Sequence, residues 1–255
     1  MHLRAGRFVA FVACATAAST PLAMAKDSYD PAAYEAALAA LESRRTALYR
    51  QFASARSAAE RAAIRRQARR TVLLAITDTI FPAWMGTPWG LGPNSTATRP
   101  HQTGKVVGCS YFVTGVLMNA GLHLQNRARF AQTSSVLMQQ ALTPDRRALH
   151  RFPGMPFDVL TRRLLALGDG VYIVGLNIHT GFLVIKNGTV RVVHASYTPP
   201  NQVVDEALGE SQVIALSWKR GYVVTPVFQD DRLIDFWLAG RPVPAPAPYH
   251  RRPNH

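Results

Sequence analysis

From position 31 to 80 the apolar residues recur every three or four places. Tyr34, Ala37, Leu38, Leu41 and Leu48 line one side of a helix with polar residues between them. The spacing predicts a helix over 31–55, and Ser57-Ala-Ala-Glu60 is a capping box that opens a second helix toward Ile80. A loop with Gly86, Pro88, Gly90, Gly92 and Pro93 breaks the period. Helical spacing returns after Gly108-Cys109, carried by Phe112, Val113, Val116, Leu117 and Ala120, with Gly121 as the C-cap. Two more helical patterns cover 129–142 and 157–167.

Beyond these the period shortens to two. Runs rich in β-branched and aromatic residues at 170–176, 180–186, 189–195, 212–218 and 222–228 read as strands separated by turn residues. Helices first and an antiparallel meander of about five strands afterwards define an α+β fold. Residues 230–239 read as a closing helix capped by Asp230 and Asp231, and the Pro-rich basic tail from 240 to 255 as extended and mobile. The organisation expected is a helical hairpin over 26–80, a catalytic domain over 81–239 and the tail.

Residues 1–25 have the features of a secretory signal: Arg4 and Arg7, an apolar run over 8–18, and Ala23-Met-Ala25 as a cleavage site. Cleavage there implies a secreted or periplasmic product. The alternative, lipid attachment at Cys14, suffers from a very short apolar run before it. No later stretch approaches the about 18 apolar residues of a membrane span.

The full chain carries a formal charge of +14, and loss of Arg4 and Arg7 leaves about +12. In an exported protein that charge points to an anionic cell-wall polymer or a membrane surface. No nucleic-acid-binding motif is present. Arg61, Arg65, Arg66, Arg69 and Arg70 cluster on the second helix, either as a solvated face or as a contact for an acidic polymer. The helical hairpin is also a candidate docking element for a protein partner.

Removal of the leader leaves Cys109 as the one remaining thiol, so an intramolecular disulfide is excluded. At the start of a helix, free N–H groups and the positive end of the dipole favour thiolate over thiol. A lone cysteine also reads as a small buried hydrophobe.

Asn187-Gly188 between two apolar runs marks a two-residue hairpin turn. Such a turn pairs 186 with 189, sets His194 opposite Gly181, and leaves His179 diagonal to His194 with Cβ atoms roughly 7–8 Å apart, within reach of an imidazole–imidazole hydrogen bond. Leu183, Ile185, Val190 and Val192 share that face, so the two rings need polar partners or a task. Together the residues suggest a thiol hydrolase. Cys109 is the nucleophile, His179 the general base and acid, and His194 the group that orients His179, while the Cys109 backbone N–H serves as an oxyanion donor.

Gly86-Thr-Pro-Trp89, Gly108-Cys-Ser-Tyr111, His179-Thr-Gly181 and His194-Ala-Ser196 occur in the order found in NlpC-type cell-wall hydrolases, papain-like cysteine peptidases of the bacterial envelope, which the chain resembles over 81–228. The resemblance implies a nucleophile-bearing helix packed on an antiparallel sheet that carries the other two groups. It also implies cleavage of an amide bond in peptidoglycan stem peptides, with Trp89 and Ser110 lining the oxyanion and substrate side. Three positions depart from the family pattern: Gly108 stands where Asp is usual, Tyr111 where Gly is usual, and Trp89 where a tyrosine often lines the oxyanion site. The last substitution keeps an N–H but loses the hydroxyl.

Two alternatives remain at this level. One keeps the trio but makes the protein an acyltransferase, or an amidase on another substrate. The other is a non-catalytic envelope-binding or adaptor module. No cofactor is expected, and His101, His123 and His150 are too scattered to suggest a metal site.

Overall fold

The computed structural model describes residues 29–247; the expected leader with Cys14, and positions 248–255 of the tail, lie outside them. Asp30 opens α1 (Pro31–Ser54): its Oδ1 accepts the Ala32 and Ala33 N–H groups at 2.8 and 3.2 Å, ahead of a proline at the first helical position. Ser57 caps α2 (Ala58–Ala75), accepting the Glu60 N–H at 3.1 Å. The Glu60 carboxylate reaches the Arg56 N–H at 2.6 Å, one residue earlier than a reciprocal capping box requires.

The helix does not stop at Ile80. A π turn over Ile76–Ile80 leads into α3 (Phe81–Trp84). Pro82 has no N–H to give the preceding turn, and the widened turn is closed by the Phe81 N–H on the Ile76 carbonyl.

After the Gly/Pro loop come α4 (Cys109–Asn119), α5 (Arg127–Gln132) and α6 (Ser135–Leu142). The last two replace the single helix expected over 129–142. Asn126 and Ser134 each cap a helix of their own, accepting the Arg129 and Leu137 N–H groups at 3.0 and 3.3 Å, and Thr133 between them is extended. The rest of the chain forms β1 (His150–Phe152), α7 (Phe157–Leu165), β2 (Gly170–Gly175), β3 (Thr180–Lys186), β4 (Thr189–Ala195), β5 (Val203–Ala207), α8 (Gln212–Ser217), β6 (Tyr222–Pro226) and α9 (Asp231–Ala239).

The protein is therefore α+β, with an open antiparallel sheet of six strands in the order β1-β6-β2-β3-β4-β5. Two details differ from the meander expected from sequence. The run over 212–218 is a helix: Val213, Ile214 and Ser217 are buried at helical spacing, and a short apolar run does not by itself distinguish strand from helix. The strand beside β4 is instead β5, whose Val-Val-Asp-Glu-Ala has weak strand propensity but is held by the Arg191–Asp205 pair at 2.7 Å.

The alternating faces of the sheet serve two cores. Ile173, Phe182, Val193 and Ala195 meet α3 and α4, where Phe112 packs edge-on against Phe182 with ring centroids 5.9 Å apart. Tyr172, Leu183, Val190 and Val192 face the other way, toward Leu160 and Leu164 of α7 and Val213 and Ile214 of α8.

The helical pair shares the first of these cores through Tyr34, Leu41, Leu48, Ala68 and Val72. Polar contacts fix it further. Tyr34 donates to Asn119 Oδ1 at 2.6 Å, and Arg45 caps the end of α9 through the Leu238 carbonyl at 2.6 Å. Arg65 forks onto Asp235 at 2.7 and 2.6 Å, and Arg69 bonds Asp231 and the Phe228 carbonyl. Of the five clustered arginines, Arg65 and Arg69 thus anchor α9 and Arg61 bonds the Ala55 carbonyl at 2.8 Å, whereas Arg66 and Arg70 are exposed.

Past α9, Gly240 takes the left-handed conformation that ends a helix. Val243 is then buried and exchanges backbone hydrogen bonds with His123 and Gln125, so the tail is pinned at its start. Among the described residues no helix is long and apolar enough to cross a membrane.

Candidate active site

Cys109 is the first residue of α4, and its position is fixed by the loop before it. The Trp89 N–H bonds the Asn201 carbonyl, the Gly86 N–H bonds the Val203 carbonyl, and the Val107 N–H bonds the Pro88 carbonyl, each at 2.9 Å. These bonds stitch the Cys109 loop to the β4–β5 connection. Arg127, which sequence reasoning passed over, clamps the same corner: its guanidinium donates to the Thr96, Ala97 and Tyr111 carbonyls at 2.9, 2.5 and 2.9 Å and lies over the Tyr111 ring.

Gly108 is the N-cap of α4 and has no side chain to offer. Among the described residues no acceptor bonds the N–H groups of Cys109, Ser110 or Tyr111; α7 and α8 also lack a side-chain cap, whereas α1, α2, α5, α6 and α9 are capped by Asp, Asn or Ser side chains. The first turn that carries the thiol is left with open donors. Cys109 is half-buried, and its Sγ is 3.8 Å from Ser110 Oγ.

The hairpin has the register that its turn dictates. Lys186 pairs with Thr189 and Phe182 with Val193, and Asn187 and Gly188 both have positive φ, 51° and 73°. His179 Nε2 and His194 Nδ1 are 2.9 Å apart, with the rings crossed at 84° and both side chains buried. The other nitrogen of His194, Nε2, is 3.0 Å from Glu206 Oε1. Glu206 is a second residue that sequence reasoning missed, because its position follows only once β5 is recognised as the partner of β4.

Burial pushes His179 down to about 3, helped by the neighbouring His194, so the ring is neutral at ordinary pH. Burial alone would raise Glu206, but the hydrogen bond from His194, with the Ser211 hydroxyl close by, outweighs it and holds the carboxyl below its usual range.

The structure brings the two imidazoles together but does not join them to sulfur: among the described residues Cys109 makes no hydrogen bond to His179 or His194. Helix α4 packs on the face of β3 and β4 that carries Phe182 and Val193, whereas His194 shares strand parity with Val190 and Val192 on the opposite face. Tyr197 spans the difference. Its ring lies 5.2 Å from His179 and 6.3 Å from Trp89, and its hydroxyl is raised above its usual range by burial and then by the Cys109 sulfur.

Trp89 packs against the first core, and its indole N–H is buried with no acceptor among the described residues. Trp84 is a wholly buried core residue whose indole N–H likewise has no acceptor within hydrogen-bond geometry among the described residues. No group of three or more His, Cys, Asp or Glu side chains among the described residues is arranged to hold a metal ion.

No family model, curated protein or solved structure matches this chain.

Proposed function

We propose that the protein is an exported cysteine hydrolase of papain-like design that cleaves an amide bond, with peptidoglycan stem peptides as the substrate. The observation that carries this reading is the His179–His194–Glu206 chain, its two imidazoles buried, beside a loop that presents Cys109 on an uncapped helix start. A neutral, buried imidazole with one nitrogen committed to a partner is an oriented proton acceptor; burial, which lowers His179 to about 3, also weakens it as a base, so the proposed transfer relies on the His194–Glu206 chain to stabilise the imidazolium as it forms.

In the proposed reaction His179 takes the Cys109 proton as sulfur attacks the carbonyl carbon, giving a tetrahedral oxyanion that the Cys109 N–H stabilises. The Trp89 indole N–H, buried with no acceptor among the described residues, becomes a second donor to the oxyanion only if its loop opens as substrate binds. Collapse of the intermediate breaks the C–N bond, His179 returns the proton to the amine, and a thioester remains on Cys109. Water, deprotonated by His179, then releases the acid and the thiol. Sulfur and imidazole have to close into contact when substrate is bound, as catalytic hydrogen bonds often do.

The charge of about +12 that remains after loss of the leader suits an anionic envelope polymer, with the exposed Arg66 and Arg70 rather than the engaged Arg65 and Arg69 facing it. Incubation with labelled muropeptides is the test. The wild type should release a free carboxylate and a free amine, and Cys109→Ala should release neither while keeping its fold by circular dichroism. Turnover by Cys109→Ala would remove the proposal. Product in which the acyl group appears on another amine or alcohol would make the enzyme a transferase.

The open thiol–imidazole gap favours one other reading, an envelope-binding module on the same scaffold. That reading expects Cys109 to react with iodoacetamide no faster than a free thiol, and binding to isolated cell wall to survive Cys109→Ala.

A further inference from the structure

His194 stands at the crossing of two diagonals. Gly181 is opposite it on β3, which puts His179 two residues away on one side, and Val204 is opposite it on β5, which puts Glu206 two residues away on the other. The period of two thus sets three polar side chains in a row across neighbouring strands, linked at 2.9 and 3.0 Å.

We propose that Glu206 is a positioning residue that fixes the tautomers of both histidines, so that the His179 lone pair lies on Nδ1, the nitrogen not bonded to His194. Its kinetic consequence rests on the hydrolase reading above; the tautomers themselves do not.

An ionised carboxylate can only accept, so His194 Nε2 carries the hydrogen that bonds Glu206. In the neutral form of His194 the single N–H is the one on Nε2, so Nδ1 is an acceptor. His179 Nε2 must then donate to it, and Nδ1 of His179 is left with its lone pair. Without the carboxylate the reverse arrangement is equally good: His194 carries its hydrogen on Nδ1 and donates to His179 Nε2. The hydrogen of His179 then moves to Nδ1, and the free lone pair passes to His194 Nε2, on the side away from His179.

The nearby charges leave Glu206 in this role. Arg191 is engaged by Asp205 at 2.7 Å, and burial keeps His179 neutral.

The experiment uses the full chain labelled with ¹⁵N-histidine. Long-range ¹H–¹⁵N spectra separate Nε2–H from Nδ1–H rings, and His179→Gln and His194→Gln assign the signals. At neutral pH both rings should be Nε2–H. Glu206→Lys offers His194 Nε2 only donors, so both rings should become Nδ1–H, and hydrolysis should fall by roughly 10–100-fold.

Should Glu206→Lys not fold, Glu206→Ala decides: it should lose the uniform Nε2–H pattern. An Nδ1–H signature for either ring in the wild type, or an unchanged pattern in a folded Glu206→Ala, overturns the assignment. If the tautomers shift as stated while the wild type hydrolyses no muropeptide, the assignment stands and the hydrolase reading falls.

Discussion

Gly181 faces His194 across the hairpin with no room for a side chain: a Cβ built on Gly181 would lie 2.6 Å from the His194 Cβ and 3.0 Å from the Val193 carbonyl oxygen. Opposed Cβ atoms on antiparallel strands normally stand about 4.5–5.5 Å apart, so the histidine occupies space that only glycine leaves free. Gly181→Ala should push the strands apart at this pair and stretch the 2.9 Å bond between His179 and His194. The expected cost is about 1–3 kcal/mol of stability, as for other overpacked sites. On the hydrolase reading, turnover should fall further than that loss explains when assayed well below the melting temperature. A folded Gly181→Ala with wild-type turnover would show that the imidazole bond tolerates displacement.

Acid should loosen the fold in a window set by His179. Its ordinary pKa of 6.5 is lowered to about 3 by burial and by His194. Between those values the unfolded chain holds a proton that the folded chain refuses, so the stabilisation is complete above 6.5 and is lost as pH falls toward 3. Each pH unit in that window is worth about 1.4 kcal/mol, or roughly 2 kcal/mol between pH 6.5 and 5. Urea unfolding of the wild type at pH 7.5 and pH 5 measures the loss, and His179→Gln should show a smaller one. Equal acid sensitivity in the two proteins would assign the effect to other groups.

The readable parts of this chain were the ones with short-range rules. Ser57, Asn187-Gly188 and the Phe112–Ala120 spacing each specify their element locally, and the register around Asn187 followed from the turn alone. The parts that escaped depend on partners far along the chain. Asp205 and Glu206 sit in a run with little strand propensity and become legible only beside Arg191 and His194. Gln212–Ser217 is too short for period to separate helix from strand. Strand parity also conveyed less than it promised. It placed the two histidines on one face, but the packing of α4 on the opposite face is decided by Phe81, Phe112 and Phe182 meeting in three dimensions.

Arg65 is one of three arginines, with Arg45 and Arg69, that tie the helical pair to α9. Its forked contact with Asp235, at 2.7 and 2.6 Å, is half-buried, with Asp231 a further 3.4 Å neighbour. Arg65→Ala should lower stability by about 1–3 kcal/mol, between the values for exposed and buried ion pairs. Asp235→Ala should cost a similar amount, and the double variant less than the sum. A coupling energy near zero in that cycle would mean that the apolar contacts of Leu41, Leu48 and Val72 hold the pair without help from charge.

Arg127 offers the sharpest test of how the thiol is positioned. One guanidinium joins the Thr96 and Ala97 carbonyls to the Tyr111 carbonyl in the first turn of α4, so the loop before Cys109 and the helix after it share a single clamp. Burial disfavours its charged form and lowers it from its usual value, yet its planar fork satisfies three acceptors at once. Lysine keeps the charge but has no fork with which to reach all three carbonyls while staying over the Tyr111 ring. Arg127→Lys should therefore retain the fold at a cost of about 1–3 kcal/mol and release the corner locally. Amide exchange should accelerate over 95–111, where the Gly108 N–H bonds the Ser95 carbonyl at 2.9 Å, and not in β2–β4. On the hydrolase reading kcat should fall while KM changes little, because the lost contact fixes sulfur rather than substrate. Unchanged exchange over 95–111 with unchanged kcat would show that the bonds of Gly86, Trp89 and Val107 hold the corner on their own.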